Sequence, residues 1–286
     1  MANPILSLAA RAANLLPDAA KRGLYRLGPL TRLIRGALNQ AAPQGIVKVE
    51  IASGLLAGLE FNLDMQSEKD YWLGTYEAEL QAALGDLIRP GMVCYDVGAN
   101  VGYISLALGK LAGPQGRVLC FEALPANATR LRSNLSLNSA VCQFEVIARA
   151  VADRSGETDF FVHSSDDMGK LAGSAGRSSE YAGKISVETV SLDDYVYREG
   201  GLLPDAVKMD IEGGEVLAFP GMRRILAEGR PLVLLELHGP ESAQAAWKAL
   251  TGAGYTIHRM QPGTPQVSSL DALDWKAYLI GRPPLG

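Results

Sequence analysis

The stretch VCYDVGANVGYISLALG, Val93 to Gly109, constrains what this chain can fold into more than any other. An apolar run from Met92 to Tyr95 ends at Asp96, passes through Gly98-Ala99-Asn100-Val101-Gly102, and resumes with helical spacing at Ile104, Leu106, Ala107, Leu108 and Leu111. The pattern predicts a buried strand, a tight glycine turn and a helix. Such a junction carries the turn backbone and the N–H groups opening the helix to the carboxyl end of a parallel strand, where open α/β sheets bind their ligands. Asp96 stands at that mouth, and Gly98, Ala99, Asn100 and Gly102 are the candidates for contact with a bound cofactor.

The turn also restricts the ligand. A dinucleotide fingerprint would need glycine at position 100 and glycine or alanine at 103, so that the backbone reaches a pyrophosphate and packs closely on the sheet. Asn100 and Tyr103 stand there instead. A ligand without a pyrophosphate suits the sequence better, and the commonest nucleoside of that kind is S-adenosyl-L-methionine. A nicotinamide-dependent oxidoreductase and a non-catalytic cofactor-binding scaffold are the alternatives.

From Met92 onward strands and helices alternate, which predicts a doubly wound, mainly parallel α/β sheet. A second buried strand, Val118 to Phe121, ends at Glu122, 24 residues after Gly98. In a βαβ unit this places a carboxylate at the edge of the neighbouring strand, where it can accept both hydroxyl hydrogens of a ribose. Further strands are expected at Phe144–Ala150, Asp205–Met209, Pro231–Leu237, Tyr255–Met260 and Lys276–Ile280. Between Gly156 and Val190 two β segments flank a Ser- and Gly-rich stretch, residues 163–184, read as an insertion that reaches over the site. Before the core, residues 45–91 read as a hairpin and a helix, and residues 92–286 as the ligand-binding domain.

Residues 1–44 differ in composition. Leu15, Leu16, Leu24, Leu27, Leu30, Leu33 and Ile34 lie among six cations, Arg11 to Arg35, opposed only by Asp18. A basic amphipathic helical appendage of this kind suits peripheral contact with an anionic membrane, a homo-oligomer, or packing on its own domain. With 27 basic and 31 acidic residues and a net charge of -4, the chain has no global field for a polyanion, so nucleic acid is not an expected partner. Three cysteines without metal spacing fit a reducing cytoplasm, with the inner membrane face as the site of any peripheral contact.

The motifs DVGANVGY, RVLCFEALP, a helix ending in SNLSLN, and KMDIEGGE followed by LLELHG resemble the FkbM family of S-adenosylmethionine-dependent methyltransferases over roughly Tyr71 to Met260. The resemblance implies the class I methyltransferase (Rossmann-like) sheet of seven strands with the last antiparallel. It also implies O-methylation of a hydroxyl on a small molecule or glycan, a sugar or natural-product acceptor. In such a site Asp96 and the 98–102 turn would hold the methionine part and Glu122 the ribose, while Ala150 and Val151 would flank the adenine.

An alcohol is a weak nucleophile at neutral pH, so a positioned general base is worth roughly 100- to 10,000-fold. The candidates are Asp210, Glu212 and His238, which follow two adjacent strands and open onto one rim. Asp210 doubles as a cofactor contact. Glu212 and Glu215 fall in the first helical turn, where a carboxylate also satisfies free N–H groups. If His238 is the base, an ordinary histidine pKa near ~6.5 sets the pH dependence. No metal is expected, and a divalent ion held by Asp210, Glu212 and His238 ranks second.

Overall fold

A computed structural model describes residues 42–163, 169–175, 181–274 and 276–284. The basic N-terminal segment therefore lies outside the described residues, as do parts of the 163–184 insertion. No helix among the described residues is long and apolar enough to cross a membrane.

Contacts divide the chain into two units, residues 1–81 with 136–138, and residues 82–135 with 139–286. In the first, β1 (Ile46–Glu50) and β2 (Glu60–Asp64) form the expected antiparallel hairpin, with Ile46 opposite Asp64 and Glu50 opposite Glu60. Short helix α1 (Lys69–Trp72) follows, and Tyr71 meets the rings of Phe61 and Tyr76 edge-on. Helix α2 (Ala78–Leu87) carries the chain into the second unit.

The second unit is built on an eight-stranded sheet. Its parallel part comprises β3 (Val93–Val97), β4 (Arg117–Phe121), β5 (Gln143–Ile147), β10 (Ala206–Met209) and β11 (Leu232–Glu236), with β14 (Tyr278–Arg282), β12 (Thr256–Arg259) and β13 (Gln266–Val267) completing it. The spatial order is β5-β4-β3-β10-β11-β14-β12-β13. β14 runs antiparallel to both β11 and β12, so the first seven strands have the expected topology and β13 is an added edge. Strands such as Ala206–Met209 are buried along their whole length because helices cover both faces of a parallel sheet. Helix α3 (Tyr103–Ala112) follows β3 and helix α4 (Pro125–Leu137) follows β4. The core includes Tyr95, Phe121 and Tyr195, whose rings lie 5.3 to 6.1 Å apart, and burial of a large apolar side chain contributes roughly 1.5–3 kcal/mol.

The expected strand Phe144–Ala150 is divided in two. The Arg149 N–H turns back to the Ile147 carbonyl, and β6 (Ala150–Val151) leaves the main sheet to pair with β9 (Tyr181–Val190). Together with β7 (Gly156–His163) and β8 (Gly169–Leu171) these strands form a separate four-stranded sheet, order β6-β9-β7-β8. Ala150 thus packs with Leu124, Phe160 and Leu171 in a small second core. Helix α5 (Leu192–Tyr197) leads into β10. Where a single helix is expected after Asp210, the chain instead forms α6 (Glu215–Ala218), a 3₁₀ turn at Phe219–Met222 and a π turn at Ile225–Gly229. Pro220, which has no N–H to donate, interrupts the α ladder there. Helix α7 (Pro240–Gly252) then follows β11.

Candidate active site

The chain runs outward from β3 through β4 to β5, then returns to place β10 and β11 on the other side of β3. Strand order reverses between β3 and β10, and ligands of open α/β sheets bind at that switch point. Of the predicted residues, Asp96 and the 98–102 turn stand at the carboxyl end of β3 and Asp210 and Glu212 after β10, Glu122 and His238 follow the next strands outward, β4 and β11, and Ala150 lies in the separate sheet.

Asp96 is fully buried within β3. Its Oδ2 accepts the Ser105 hydroxyl at 2.6 Å and its Oδ1 lies 3.2 Å from Lys208 Nζ. The two residues are direct neighbours in the β3–β10 register, which places both side chains on one face of the sheet.

Four of the turn's N–H groups are engaged within the chain. Those of Gly98 and Ala99 both donate to the Phe121 carbonyl, that of Asn100 to Glu122, and that of Gly102 to the Ala99 carbonyl. What the turn provides is close approach. Gly98 has φ +81°, and a Cβ there would fall 1.9 Å from the Asp210 carbonyl oxygen. Asn100, with φ 48°, adopts the left-handed conformation that asparagine tolerates better than most residues.

Glu122 is buried at the end of β4, with Oε2 accepting the Asn100 N–H and Oε1 the Leu124 N–H, each at 2.8 Å. Burial pushes its pKa up, opposed by these two backbone hydrogen bonds. Each carboxylate oxygen retains a further lone pair to offer a ligand hydroxyl.

Across the switch point, Asp210, Glu212 and His238 come together. His238 Nε2 lies 3.6 Å from Asp210 Oδ1, 3.7 Å from Glu212 Oε2 and 3.9 Å from Glu236 Oε1. On its other side Nδ1 lies 3.2 Å from Oε1 of Glu215, a fully buried carboxylate whose Oε2 accepts the Ser242 hydroxyl at 2.7 Å. Burial lowers the His238 pKa, but the hydrogen bond and charge of Glu215, with the charges of Asp210 and Glu212, outweigh it and raise the value to about 9. The ordinary value near ~6.5 is thereby corrected. Glu212 and Gly213, with φ 51° and 94°, bend the rim sharply after Asp210.

The insertion reaches this rim: the Ala175 N–H donates to the Gly213 carbonyl at 3.0 Å, and Lys170 Nζ lies 3.5 Å from the Ala175 carbonyl.

Several residues here have no assigned role in the sequence reading: Lys208, Ser105, Glu236 and Ser242, with Glu215 read only as a helix-opening acid. Lys208 carries a usable signal, since a lysine inside the buried run AVKM must find partners of opposite charge.

The sequence pattern of the methyltransferase FkbM domain matches residues 96–260, more than half of the chain. This chain belongs to the FkbM methyltransferase family. S-adenosylmethionine is the methyl donor of that family, and the matched residues of this FkbM chain run from Asp96 to Met260. Its relatives include the 2-O-methyltransferase NoeI of Sinorhizobium fredii, 33% identical over 156 residues that cover 50% of this chain and 63% of NoeI. The AMB antimetabolite synthetase AmbE of Pseudomonas aeruginosa is 32% identical over 126 residues, 43% of this chain and 6% of AmbE. The FkbM chain thus spans less than two thirds of the length of these curated relatives. The crystal structure of an FkbM methyltransferase from Methylobacillus flagellatus superposes with a TM-score of 0.46 at 17% identity, covering 76% of this chain and 54% of that one.

Proposed function

We propose that the protein transfers a methyl group from S-adenosylmethionine to a hydroxyl oxygen of a small-molecule or glycan acceptor, with His238 Nε2 taking the hydroxyl proton. The observation that carries this reading is the Glu215–His238 pair, which turns Nε2 toward the rim formed by Asp210 and Glu212. The name of NoeI, a 2-O-methyltransferase, supports oxygen as the acceptor atom.

The residues suit the cofactor. A phosphate cradle needs outward N–H groups, and here those of Gly98, Ala99, Asn100 and Gly102 are engaged within the chain. A nucleoside without phosphates asks instead for an acceptor of ribose hydroxyls, which Glu122 supplies, and for room beside the turn, which Gly98 supplies. Asp210 lines the same junction, and Asp96 supports it from beneath. Ala150 packs in the small core with Leu124, which follows Glu122 by two residues in the chain, and is the proposed adenine flank.

When bound, the cofactor supplies a methyl group already activated on a sulfonium, leaving the protein to place the acceptor and take its proton. His238 keeps its Nδ1 proton on Glu215 and receives the acceptor proton at Nε2. Asp210 and Glu212 then face the imidazolium and stabilise it. The hydrogen bond from Ala175 to Gly213 supports a part for this segment in selecting the acceptor.

A second reading rests on the ligand atoms of Asp210, Glu236 and His238, which lie within 4.8 Å of one another and could hold a divalent cation that lowers the hydroxyl pKa. Glu236 takes the place that the sequence gives to Glu212 in this set.

The deciding experiment titrates the protein with S-adenosylhomocysteine and with NAD, then incubates it with methyl-labelled cofactor and candidate glycans and alcohols, locating the label by mass spectrometry. Binding of NAD alone would replace this reading with the oxidoreductase one. Binding of the homocysteine nucleoside without transfer to any acceptor favours the scaffold. Activity lost on chelation and restored by Mg²⁺ or Mn²⁺ selects the metal reading over proton transfer to His238 alone.

A further inference from the structure

We propose that Lys208 is a positioning residue, a single buried ammonium that fixes the cofactor turn after β3 and the reaction rim after β10 relative to each other. The inference rests on the methyltransferase reading of the site above. Lys208 is only 4% exposed and stands in the middle of a strand buried on both faces. Its Nζ lies 3.2 Å from Asp96 Oδ1, donates to the Gly98 carbonyl at 3.2 Å, and lies 3.7 Å from Asp210 Oδ2. One group therefore touches the strand below the turn, the turn itself and the rim.

Stability alone does not call for this arrangement. Buried ion pairs are often replaceable by apolar residues of similar volume with no loss of stability, because desolvation offsets most of the attraction. The charge adds direction. Asp210 presents Oδ2 to Lys208 and Oδ1 to His238 Nε2, so the ammonium helps to fix which way the carboxylate faces at the rim. The backbone sets the spacing in parallel: the Asp210 N–H donates to the Val97 carbonyl at 3.0 Å, and the Asp210 carbonyl abuts Gly98. Spacing comes from the backbone contact, and orientation from Lys208.

Lys208→Met alone would strand the buried Asp96 charge and fail through folding. The test therefore uses an Asp96→Asn background, in which the amide oxygen can face Lys208 Nζ while its NH2 donates to the Ser105 oxygen, and the charge that requires Lys208 is gone. Lys208→Met is added to that background, and both variants are compared by thermal melt, S-adenosylhomocysteine calorimetry and kcat. The expected result is a melt within a few degrees of Asp96→Asn, with affinity about tenfold weaker and kcat about tenfold lower, the scale of one lost charged hydrogen bond. Affinity and kcat within twofold of the Asp96→Asn protein would overturn the inference. So would a melt that collapses relative to Asp96→Asn, which would assign the lysine to folding. If the wild-type chain itself does not bind S-adenosylhomocysteine, the reading of the site falls, and the inference falls with it.

Discussion

His238 is held from behind by Glu215, with Nδ1 and Oε1 3.2 Å apart, and the other oxygen of that buried carboxylate is occupied by the Ser242 hydroxyl. The imidazole is therefore restrained at Nδ1, and in the proposed reaction its exchange with an acceptor passes through Nε2. A carboxylate that orients a histidine also makes it more basic, and three predictions rest on the resulting balance of charge.

The first concerns rate. A base must be neutral to accept a proton, so kcat/KM should climb with pH through about 9, the value Glu215, Asp210 and Glu212 impose against burial. His238→Ala should lower kcat far more than cofactor affinity, since proton removal counts in the transition state. A fully active alanine variant would move the role to Asp210 or Glu212.

Glu215→Gln tests the cause of that basicity. The amide oxygen can still accept from Nδ1, so the ring stays in place while the charge behind it disappears. The rising limb of the pH profile should move below about 9, toward the ~6.5 of an ordinary histidine. An unmoved limb in a folded variant would mean that Glu215 does not set the pKa.

Stability carries the same signature with a defined sign. The folded pKa, about 9, exceeds the unfolded value near ~6.5, so His238 stabilises the fold fully below about pH 6.5 and loses that contribution as pH rises through about 9. The linkage ceiling is roughly 3 kcal/mol. Denaturant unfolding between pH 6 and 10 should show this decline in the wild type and a flatter curve in His238→Gln, whose amide can still donate to Glu215.

Glu122→Ala should weaken S-adenosylhomocysteine binding by about 1–3 kcal/mol, because the ribose hydroxyls lose a charged acceptor. It should also destabilise the free protein by a comparable amount, since the Asn100 and Leu124 N–H groups lose theirs. Calorimetry and thermal melts separate the two effects. Unchanged affinity would reject the ribose assignment.

Gly98 gives the sharpest outcome. The turn motif taken alone suggests that Gly98→Val blocks the ligand and leaves the fold intact, but even an alanine Cβ would meet the Asp210 carbonyl oxygen at 1.9 Å. Gly98→Ala should therefore cost on the order of 3 kcal/mol or more before any ligand is added. A melt equal to wild type would show that the backbone of β10 yields there.

What the sequence conveyed followed from periodicity and from local turn chemistry. The apolar runs ending at Asp96, Glu122, Met209 and Leu237 locate the parallel strands, because a strand buried on both faces needs continuous apolar residues. Asp210 and His238 were legible as rim residues for the same reason. Illegible were relationships across the sheet: the pairing of Lys208 with Asp96 depends on β3–β10 register, and the contact of Glu215 with His238 depends on α6 packing beside α7. The departure of Ala150 into a second sheet was equally hidden, because two apolar residues at the end of a strand do not reveal which neighbour they will pair with.

The contact between Gly98 and the Asp210 carbonyl also bears on how this protein can be recombined with its relatives. The turn at 96–102 and the rim at 208–215 are far apart in the chain yet share a surface with no slack. A chimaera that imports either segment alone inherits a mismatch at the centre of its site. One that imports both transplants a matched pair, so the smallest portable piece of this candidate site is discontinuous in sequence.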